Sequence, residues 1–212
     1  MVVADHVNTR KPSKRDERAR VTRNRILDAA REEFLSNGFH ATQMQAIADR
    51  AGVSVQMLYF AFGKKGHLMA AVVERAVVGE DAIPPEQAEW FANLALAPSA
   101  RETLRRFIVG SSEIYRRAGP VDLVARTGAA TEEILAQSTM QGAELRAAVF
   151  GKVVELAAAN GPLRLDLRTA KDVLIAAFSP ALYMEFINDR GWSHEQAMTW
   201  LADNIPALIA AD

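Results

Sequence analysis

The 212-residue chain contains no cysteine, which excludes disulfide bonds, a thiolate nucleophile and any metal site built on cysteine. It has only 12 glycines and 8 prolines, a composition that disfavours long irregular segments and favours helix. The first residues lack the apolar core of a signal peptide, and no apolar run approaches the roughly 18 residues of a membrane span. We therefore expect a cytoplasmic protein without a membrane partner.

Catalytic patterns are missing as well. No glycine-rich phosphate loop occurs, and the histidines show no metal-ligand spacing. These histidines are His6, His40, His67 and His194. The sequence thus offers no catalytic residue, no metal ligands and no cofactor site, and we expect that the protein is not an enzyme.

The charge is distributed unevenly along the chain. Residues 1–75 contain 13 lysines and arginines against 8 aspartates and glutamates, a net charge of +5, whereas the remainder has 12 against 18, a net −6. Such asymmetry indicates an anionic partner for the amino-terminal part, such as nucleic acid. Because the total length allows one or two domains, the basic part could be a small domain of its own.

Residues 1–14 are polar and without periodicity, and we expect a flexible basic arm. Basic residues continue from this arm into the next segment, and they either are simply solvated or contact DNA phosphates or the minor groove. They are Arg10, Lys11, Lys14, Arg15, Arg18 and Arg20.

The next segment predicts three short helices. Apolar residues at helical spacing indicate a helix over about 16–37 that Gly38 ends. Thr42 followed by Gln45 has the form of a capping box and predicts a second helix to about Arg50. Ser54 can cap a third helix to about Ala61, and a separation of two residues between helices is typical of a helix-turn-helix unit.

The third helix has two faces of different character. Leu58, Ala61 and Phe62 are expected to pack on the first helix. The opposite stripe, which would be free to meet DNA, consists of Val55, Gln56, Tyr59 and Phe60.

The stretch from Arg23 to Val73 resembles the TetR family of bacterial transcriptional regulators. The resemblance lies in the pattern IL-AA---F---G over residues 26–38 and in T----IA--AGVS---LY--F--K--L over residues 42–68, about a quarter of the chain. It implies an all-α fold, with a three-helix DNA-binding domain followed by a larger helical domain for effector binding and dimerisation. It also implies a homodimeric repressor that binds a palindromic operator and responds to a small-molecule effector of unknown identity.

The resemblance and the outward stripe together give the predicted DNA-binding residues. Gln56 carries an amide that can pair with adenine, whereas Val55 can contact a thymine methyl group. The family likeness implies that Tyr59 and Lys65 contact phosphates, as does Thr42 by its hydroxyl or an amide it caps. Ala61 stands where the family often has histidine, which affects the operator sequence more than the fold. The full predicted set is Thr42, Ser54, Val55, Gln56, Tyr59, Phe60, Lys64 and Lys65.

The remaining two thirds reads as helix throughout. We expect a connecting helix over 64–79 between a DNA-binding domain at 15–63 and an effector and dimerisation domain at 80–212. The helices of this domain are expected at about 86–96, 100–118, 120–129, 131–160, 169–188 and 194–210.

Two residue sets in the larger domain are candidates for function, although aromatic and apolar residues at helical spacing could equally form the core. The first could line an effector pocket: Trp90, Phe107, Ser111, Tyr115, Thr127, Phe150, Phe178 and Tyr183. The second could form a dimer interface: Leu145, Val149, Val153, Leu156, Leu174, Phe178, Ala181 and Leu182.

A second functional class stays open from the sequence. A helical-bundle enzyme or a lipid or small-molecule carrier could have the same composition with an incidental basic amino terminus. Sequence-specific DNA binding separates the two hypotheses, because a carrier would bind DNA only non-specifically.

Overall fold

A computed structural model describes residues 13–80 and 82–211. Most of the predicted arm, residues 1–12, lies outside the described residues, as do Arg10 and Lys11 within it. The first helix begins at Lys14, where the Ser13 hydroxyl accepts from the Asp16 amide and the Asp16 carboxylate accepts from the Ser13 amide. This capping box fixes the amino end of the helix close to the expected position.

Four helices form the amino-terminal part. The first contains a break at Gly38, whose φ of 72° is not helical. The helix was predicted to end at this glycine, but one further helical turn follows it. These helices are α1 (Lys14–Ala41), α2 (Met44–Ala51), α3 (Val55–Phe62) and α4 (Lys65–Val78).

The larger part contains seven further helices within the described residues. Short 3-10 turns flank the first of them, and a π-helical turn at Glu185–Asp189 follows the sixth. The seven are α5 (Glu89–Ala92), α6 (Ala100–Gly110), α7 (Ser112–Ala129), α8 (Glu133–Asn160), α9 (Leu167–Ala177), α10 (Pro180–Met184) and α11 (His194–Ile209).

Two predicted helix boundaries in this part were wrong. The break expected at Gly119-Pro120 lies at Ser111, and α7 continues through Pro120. Proline lacks the amide that would bond within the helix, and the burial of Gly119 and Val121 against neighbouring helices compensates for that lost hydrogen bond. The helix expected over 169–188 is interrupted at Phe178, and the Ser179 hydroxyl caps a new helix there.

The all-α prediction is confirmed: residues 13–80 and 82–211 contain no β-strand, only an isolated bridge between Leu163 and Ala210. No helix in this described part is both long and apolar enough to cross a bilayer.

The helices enclose two hydrophobic cores. The smaller core lies among α1–α4 and includes Phe34, Ile47, Leu58 and Leu68. The larger core lies among α6 and α8–α11, with Phe107 and Phe178 among its members. Helix α7 belongs to both, since Tyr115 near its start packs in the larger core, while Val121 and Ala125 pack in the smaller one. This helix therefore connects the two parts mechanically.

Candidate nucleic-acid interface

The turn between α2 and α3 sets the orientation of α3. Gly52 ends α2 in the left-handed conformation, with φ 62° and ψ 41°, a position that favours glycine. Two residues later the Ser54 hydroxyl accepts from the Met57 amide and caps α3, as predicted. Only Gly52, Val53 and Ser54 thus separate α2 from α3, a connection typical of a helix-turn-helix unit.

Helix α3 buries one face and exposes the other. Leu58 and Phe62 pack in the small core, and the Arg23 guanidinium lies 4.5 Å from the centre of the Phe62 ring. On the other face Phe60 is 94% exposed and Tyr59 52%, a costly arrangement for aromatic rings unless a partner covers them. Ala61 was expected on the buried face but is exposed, because only residues four apart reach the core from so short a helix.

The predicted capping box at Thr42 and Gln45 was wrong. Thr42 is 2% exposed, and its hydroxyl donates to the carbonyls of Glu33 and Gly38, which closes the carboxyl end of α1. Gln43 is the residue at the start of α2 and makes no cap with its side chain, while the Gln45 amide donates to Asp49. The first backbone amides of α2 are therefore without a side-chain acceptor and suit a phosphate oxygen.

These amides open onto a cleft of about 550 Å³ between the start of α2, the outer face of α3 and the start of α4. Five of its lining residues belong to the predicted set: Thr42, Val55, Tyr59, Lys64 and Lys65. Sequence reasoning missed the other three, Gln43, Met44 and Gln45, because the false capping box hid the uncapped helix end. Gln56, Ser54 and Phe60 lie on α3 beside this cleft and do not line it.

The two lysines of the cleft differ in their surroundings. Lys65 is half-buried, and its ammonium group donates to the carbonyls of His40 and Thr42 at 3.1 and 3.0 Å and lies 4.7 Å from the centre of the Phe39 ring. Its charge thus stabilises the carboxyl end of α1, with a third N–H left for a phosphate. Lys64 is exposed at the amino end of α4.

An ion pair fixes α2 on α1. The buried Glu33 carboxylate accepts from Arg50 Nε at 2.7 Å and from the Asn37 amide, and Arg50 also reaches Glu32. Glu33 raises the pKa of the Arg50 guanidinium by hydrogen bonding and by its charge. Since α2 carries the uncapped end and leads directly into α3, this pair positions both parts of the interface.

The basic residues at the start of α1 lie on its exposed turns. Lys14, Arg15 and Arg18 are solvent-accessible, and Arg20 pairs with Glu17 at 2.8 Å. This arrangement fits either hypothesis for these residues, solvation or contact with phosphates.

The predicted effector-pocket residues pack mainly against one another. The Tyr115 ring stacks on Phe178 at 4.2 Å, and Phe107 meets Phe150 edge-on at 5.1 Å. Tyr183 and Trp90 lie at the margins of this group, and the Ser111 hydroxyl donates to the Phe107 carbonyl. Thr127 is elsewhere, exposed near the carboxyl end of α7, where its carbonyl meets the His40 ring. The structure thus brings seven of the eight into one neighbourhood and excludes Thr127.

Three residues of the predicted dimer interface were misassigned. Val153, Leu174 and Phe178 are completely buried within the single chain, so their side chains cannot meet a second subunit. The apolar stripes of α8 and α9 that suggested an interface pack instead against α6 and α11. Of the other predicted residues, Leu145 and Ala181 are exposed, and Val149, Leu156 and Leu182 are half-buried.

A different apolar surface lies on α11 and the π-helical turn before it. The Phe186 ring stacks on Trp192 at 4.4 Å, and Trp200 packs on both rings while remaining 41% exposed. Leu208 is exposed further along α11. The sequence shows these aromatics, but only the fold reveals that residues 186, 192 and 200 are adjacent.

With the exposed face of α3 beside a cleft lined by two lysines and an uncapped helix end, the fold and the site have the geometry of a helix-turn-helix DNA-binding unit. Residues 26–72 match the family described as bacterial regulatory proteins, tetR family. Residues 26–72 thus match the amino-terminal domain of this TetR family, as the sequence resemblance indicated.

Known relatives match over the same region. The transcriptional activator FasR of Mycolicibacterium smegmatis is 49% identical over 63 residues, which are 30% of this chain and 27% of FasR. The transcriptional repressor KstR of Mycobacterium tuberculosis is 44% identical over 59 residues, 28% of this chain and 27% of KstR. The chain thus aligns with about a quarter of the length of these relatives, which are regulators and not enzymes.

The fold extends the likeness to the whole chain. A solved structure of a transcriptional regulator from Saccharomonospora viridis, in complex with choline, superposes with a TM-score of 0.70 and covers 91% of this chain and 99% of that one. The two sequences are 20% identical, so this likeness concerns the architecture. It confirms the predicted architecture, a helix-turn-helix domain joined to a larger helical domain.

Proposed function

We propose that the protein is a transcriptional repressor that binds a palindromic operator as a homodimer and is modulated by a small molecule. One observation carries this proposal: the cleft at the uncapped start of α2 adjoins the exposed face of α3, so a phosphate site and a base-reading surface lie side by side. This is the arrangement that docking of a helix in the major groove requires.

Each part of the interface has a distinct role in the proposal. The first amides of α2, the Tyr59 hydroxyl and the lysines hold backbone phosphates and fix the register of the protein on DNA. Gln56, in the first turn of α3, hydrogen-bonds an adenine, while Val55 and the protruding Phe60 contact thymine methyl groups. Ser54 acts by capping α3.

The α11 surface is the proposed dimer interface. The family resemblance assigns dimerisation to the last long helices, and Phe186, Trp192, Trp200 and Leu208 supply an apolar patch there that a second copy would cover. A dimer is needed because two recognition helices must enter successive major grooves, roughly 34–36 Å apart.

The proposed division of the chain follows from these roles. Residues 15–63 read DNA, residues 64–79 connect, residues 80–212 bind effector and partner, and residues 1–14 form the basic arm. Because the connecting helix α4 packs in the same core as α1–α3, it moves together with α3, the helix that contacts bases in this proposal.

Contacts between α4 and the larger domain provide a route for regulation. Arg117 of α7 donates to the Ala76 carbonyl at the carboxyl end of α4. At its other end α4 approaches α8 closely, since a Cβ on Gly66 would lie 2.6 Å from Ile134. An effector that shifts α7 would move α4 and change the spacing of the two reading helices, provided that it binds better to the shifted state.

The proposal for an effector has support from the fold. The S. viridis structure shows that this architecture can hold a small molecule in that protein. Regulation by repression is proposed by likeness to KstR, whereas FasR shows that a relative can act as an activator.

Fluorescence anisotropy with the DNA upstream of its own coding sequence tests the proposal. We expect tight binding to one fragment and weak, strongly salt-dependent binding to a scrambled fragment of equal length. Equal affinity for both would favour the alternative, a carrier with an incidental basic surface.

A further inference from the structure

Arg146 of α8 is in an unusual environment. Its Nε is buried, and within residues 13–80 and 82–211 it is the one buried side-chain nitrogen or oxygen without a hydrogen-bond partner. An arginine is always charged, and burying part of its guanidinium without an anion is unfavourable. Such groups are rare in native proteins, and a bound ion or ligand is one way in which they are satisfied.

Neighbouring carboxylates do not fill this role. Asp122 of α7 accepts from Arg126 at 2.7 Å, so its charge is already paired. Both Arg146 and Asp122 act electrostatically on the Tyr115 hydroxyl: burial raises the pKa of this tyrosine most, Arg146 opposes the rise, and Asp122 adds to it. The charge of Arg146 is therefore near enough to Tyr115, a member of the aromatic group, to act on its hydroxyl.

Solvent lies on one side of Arg146 along α8 and apolar rings on the other. Gly142, one turn before Arg146, is exposed, and the position that a Cβ would take is open to solvent. One turn after Arg146, the Phe150 ring packs against Phe107 and Phe178. An approaching molecule would thus meet the cation first and the aromatic rings next.

We propose that Arg146 binds the anionic head of the effector, a molecule with one carboxylate or phosphate group and an apolar body. The head pairs with the guanidinium from the solvent side at Gly142, and the apolar body separates the packed rings of Tyr115, Phe150 and Phe178. A planar guanidinium suits both kinds of head, because it can donate two parallel hydrogen bonds to either.

This placement also connects the ligand to the DNA-binding domain, and in that respect it depends on the proposed function. Insertion beside Tyr115 displaces the start of α7, and Arg117, two residues further, holds the end of α4. The anionic ligand would therefore act on α4, the helix that connects the larger domain to the helix-turn-helix unit.

Calorimetry with three probes of equal chain length tests the proposal: decanoate, decyl phosphate and decanol. We expect one or both anions to bind and decanol to bind at least roughly tenfold more weakly, as for a lost charge-assisted hydrogen bond. The two anionic probes distinguish a carboxylate from a phosphate ligand. Equal binding of decanol, or no binding of either anion, overturns the proposal.

Variants connect the binding to this arginine. Arg146→Gln should lose the preference for the anions, whereas Lys152→Gln, an equal charge change at an exposed position of the same helix, should keep it. Arg146→Gln should also melt no lower than wild type, since it removes an unpaired charge; a structural arginine would lower the melting temperature. If Arg146→Gln does not fold, Arg146→Lys keeps the charge, and unchanged anion affinity in that variant would contradict a planar contact.

Operator binding without any probe, measured on the same protein, separates this proposal from the proposed function. If the protein binds operator but neither anion, the proposed function stands and the Arg146 proposal is contradicted. If it binds anions through Arg146 but recognises no operator, the Arg146 proposal stands and the proposed function is contradicted.

Discussion

The two hydrophobic cores contain similar residues but differ in whether the same helix also exposes apolar side chains to a partner. In the small core, buried residues such as Leu58 and Phe62 alternate along α3 with exposed Tyr59 and Phe60, so one short helix both folds and presents a site. In the larger core, the aromatic residues pack on one another, and the exposed apolar patch lies on another helix, α11. A functional residue can therefore be identified from local pattern in the first region but requires the fold in the second.

A charge placed inside the larger core should have the largest effect on the protein. Val153→Glu should destabilise the protein by on the order of 3–5 kcal/mol, because the carboxylate would be buried without a partner. Urea unfolding followed by circular dichroism measures the loss. A stable, folded Val153→Glu variant would show that this position lies at a surface, as an interface requires.

The exposed patch should respond differently to the same change. Trp200→Glu should leave the chain folded but shift it from dimer to monomer, because the charge would be desolvated only on association. Analytical ultracentrifugation measures the shift, and Leu145→Glu on the exposed face of α8 is the control. A dimeric Trp200→Glu variant would place the interface elsewhere.

Base reading by α3 should depend on Gln56. Gln56→Ala should weaken operator binding by about 1–3 kcal/mol and relax the preference at one position in each half-site. Competition with single-base operator variants measures both effects. An equal loss on operator and scrambled DNA would contradict base reading and indicate a general contact.

The two lysines of the cleft should differ in a way that the sequence does not reveal. Lys64→Ala should weaken operator and scrambled DNA alike and reduce the salt slope by about 1, without changing stability. Lys65→Ala should do the same and also lower stability by about 1 kcal/mol, because two carbonyls of the α1–α2 turn lose their donor. Salt titrations and urea unfolding on both variants test this; identical stabilities would contradict the structural role of Lys65.

The smallest expected effect concerns His194 of α11, whose ring nitrogens meet the Ser112 and Tyr183 hydroxyls. Burial lowers the pKa of this histidine below its ordinary 6.5, Arg116 lowers it as well, and Glu113 and Glu195 oppose the change. The folded state therefore resists protonation, so this contribution to stability is complete above pH 6.5 and is lost as the pH falls below it.

Urea midpoints at pH 7.5 and 5.5 measure this effect. The difference between the two midpoints should be smaller in His194→Gln than in wild type. Other groups contribute equally to both proteins, so an unchanged difference would show that His194 does not titrate as described.

Sequence reasoning succeeded where a single residue determines local geometry. Gly52 and Ser54 fix the turn and the start of α3, and the predicted helix-turn-helix unit is confirmed. It failed at Thr42, because a hydroxyl can cap the following helix or bond back to the preceding one. Here the carbonyls of Glu33 and Gly38 are within reach, and the hydroxyl bonds back to both.

In the larger domain the failures have another cause. The stripe containing Val153 and Leu174 is equally suited to a core and to an interface, and the choice depends on which helix α8 meets. The patch at residues 186, 192 and 200 forms only when the π-helical turn and α11 come together. Arg146 gave no local signal, since its missing partner is visible only after the neighbouring side chains are placed.

Selection of binding sites from random DNA by the purified protein tests whether it binds a palindromic operator as a dimer. We expect one enriched palindromic motif whose half-sites are centred about one helical turn, ~34–36 Å, apart, and whose enrichment is weakened by Gln56→Ala. Enrichment of no motif, or of a single unpaired half-site by a dimeric protein, would contradict it.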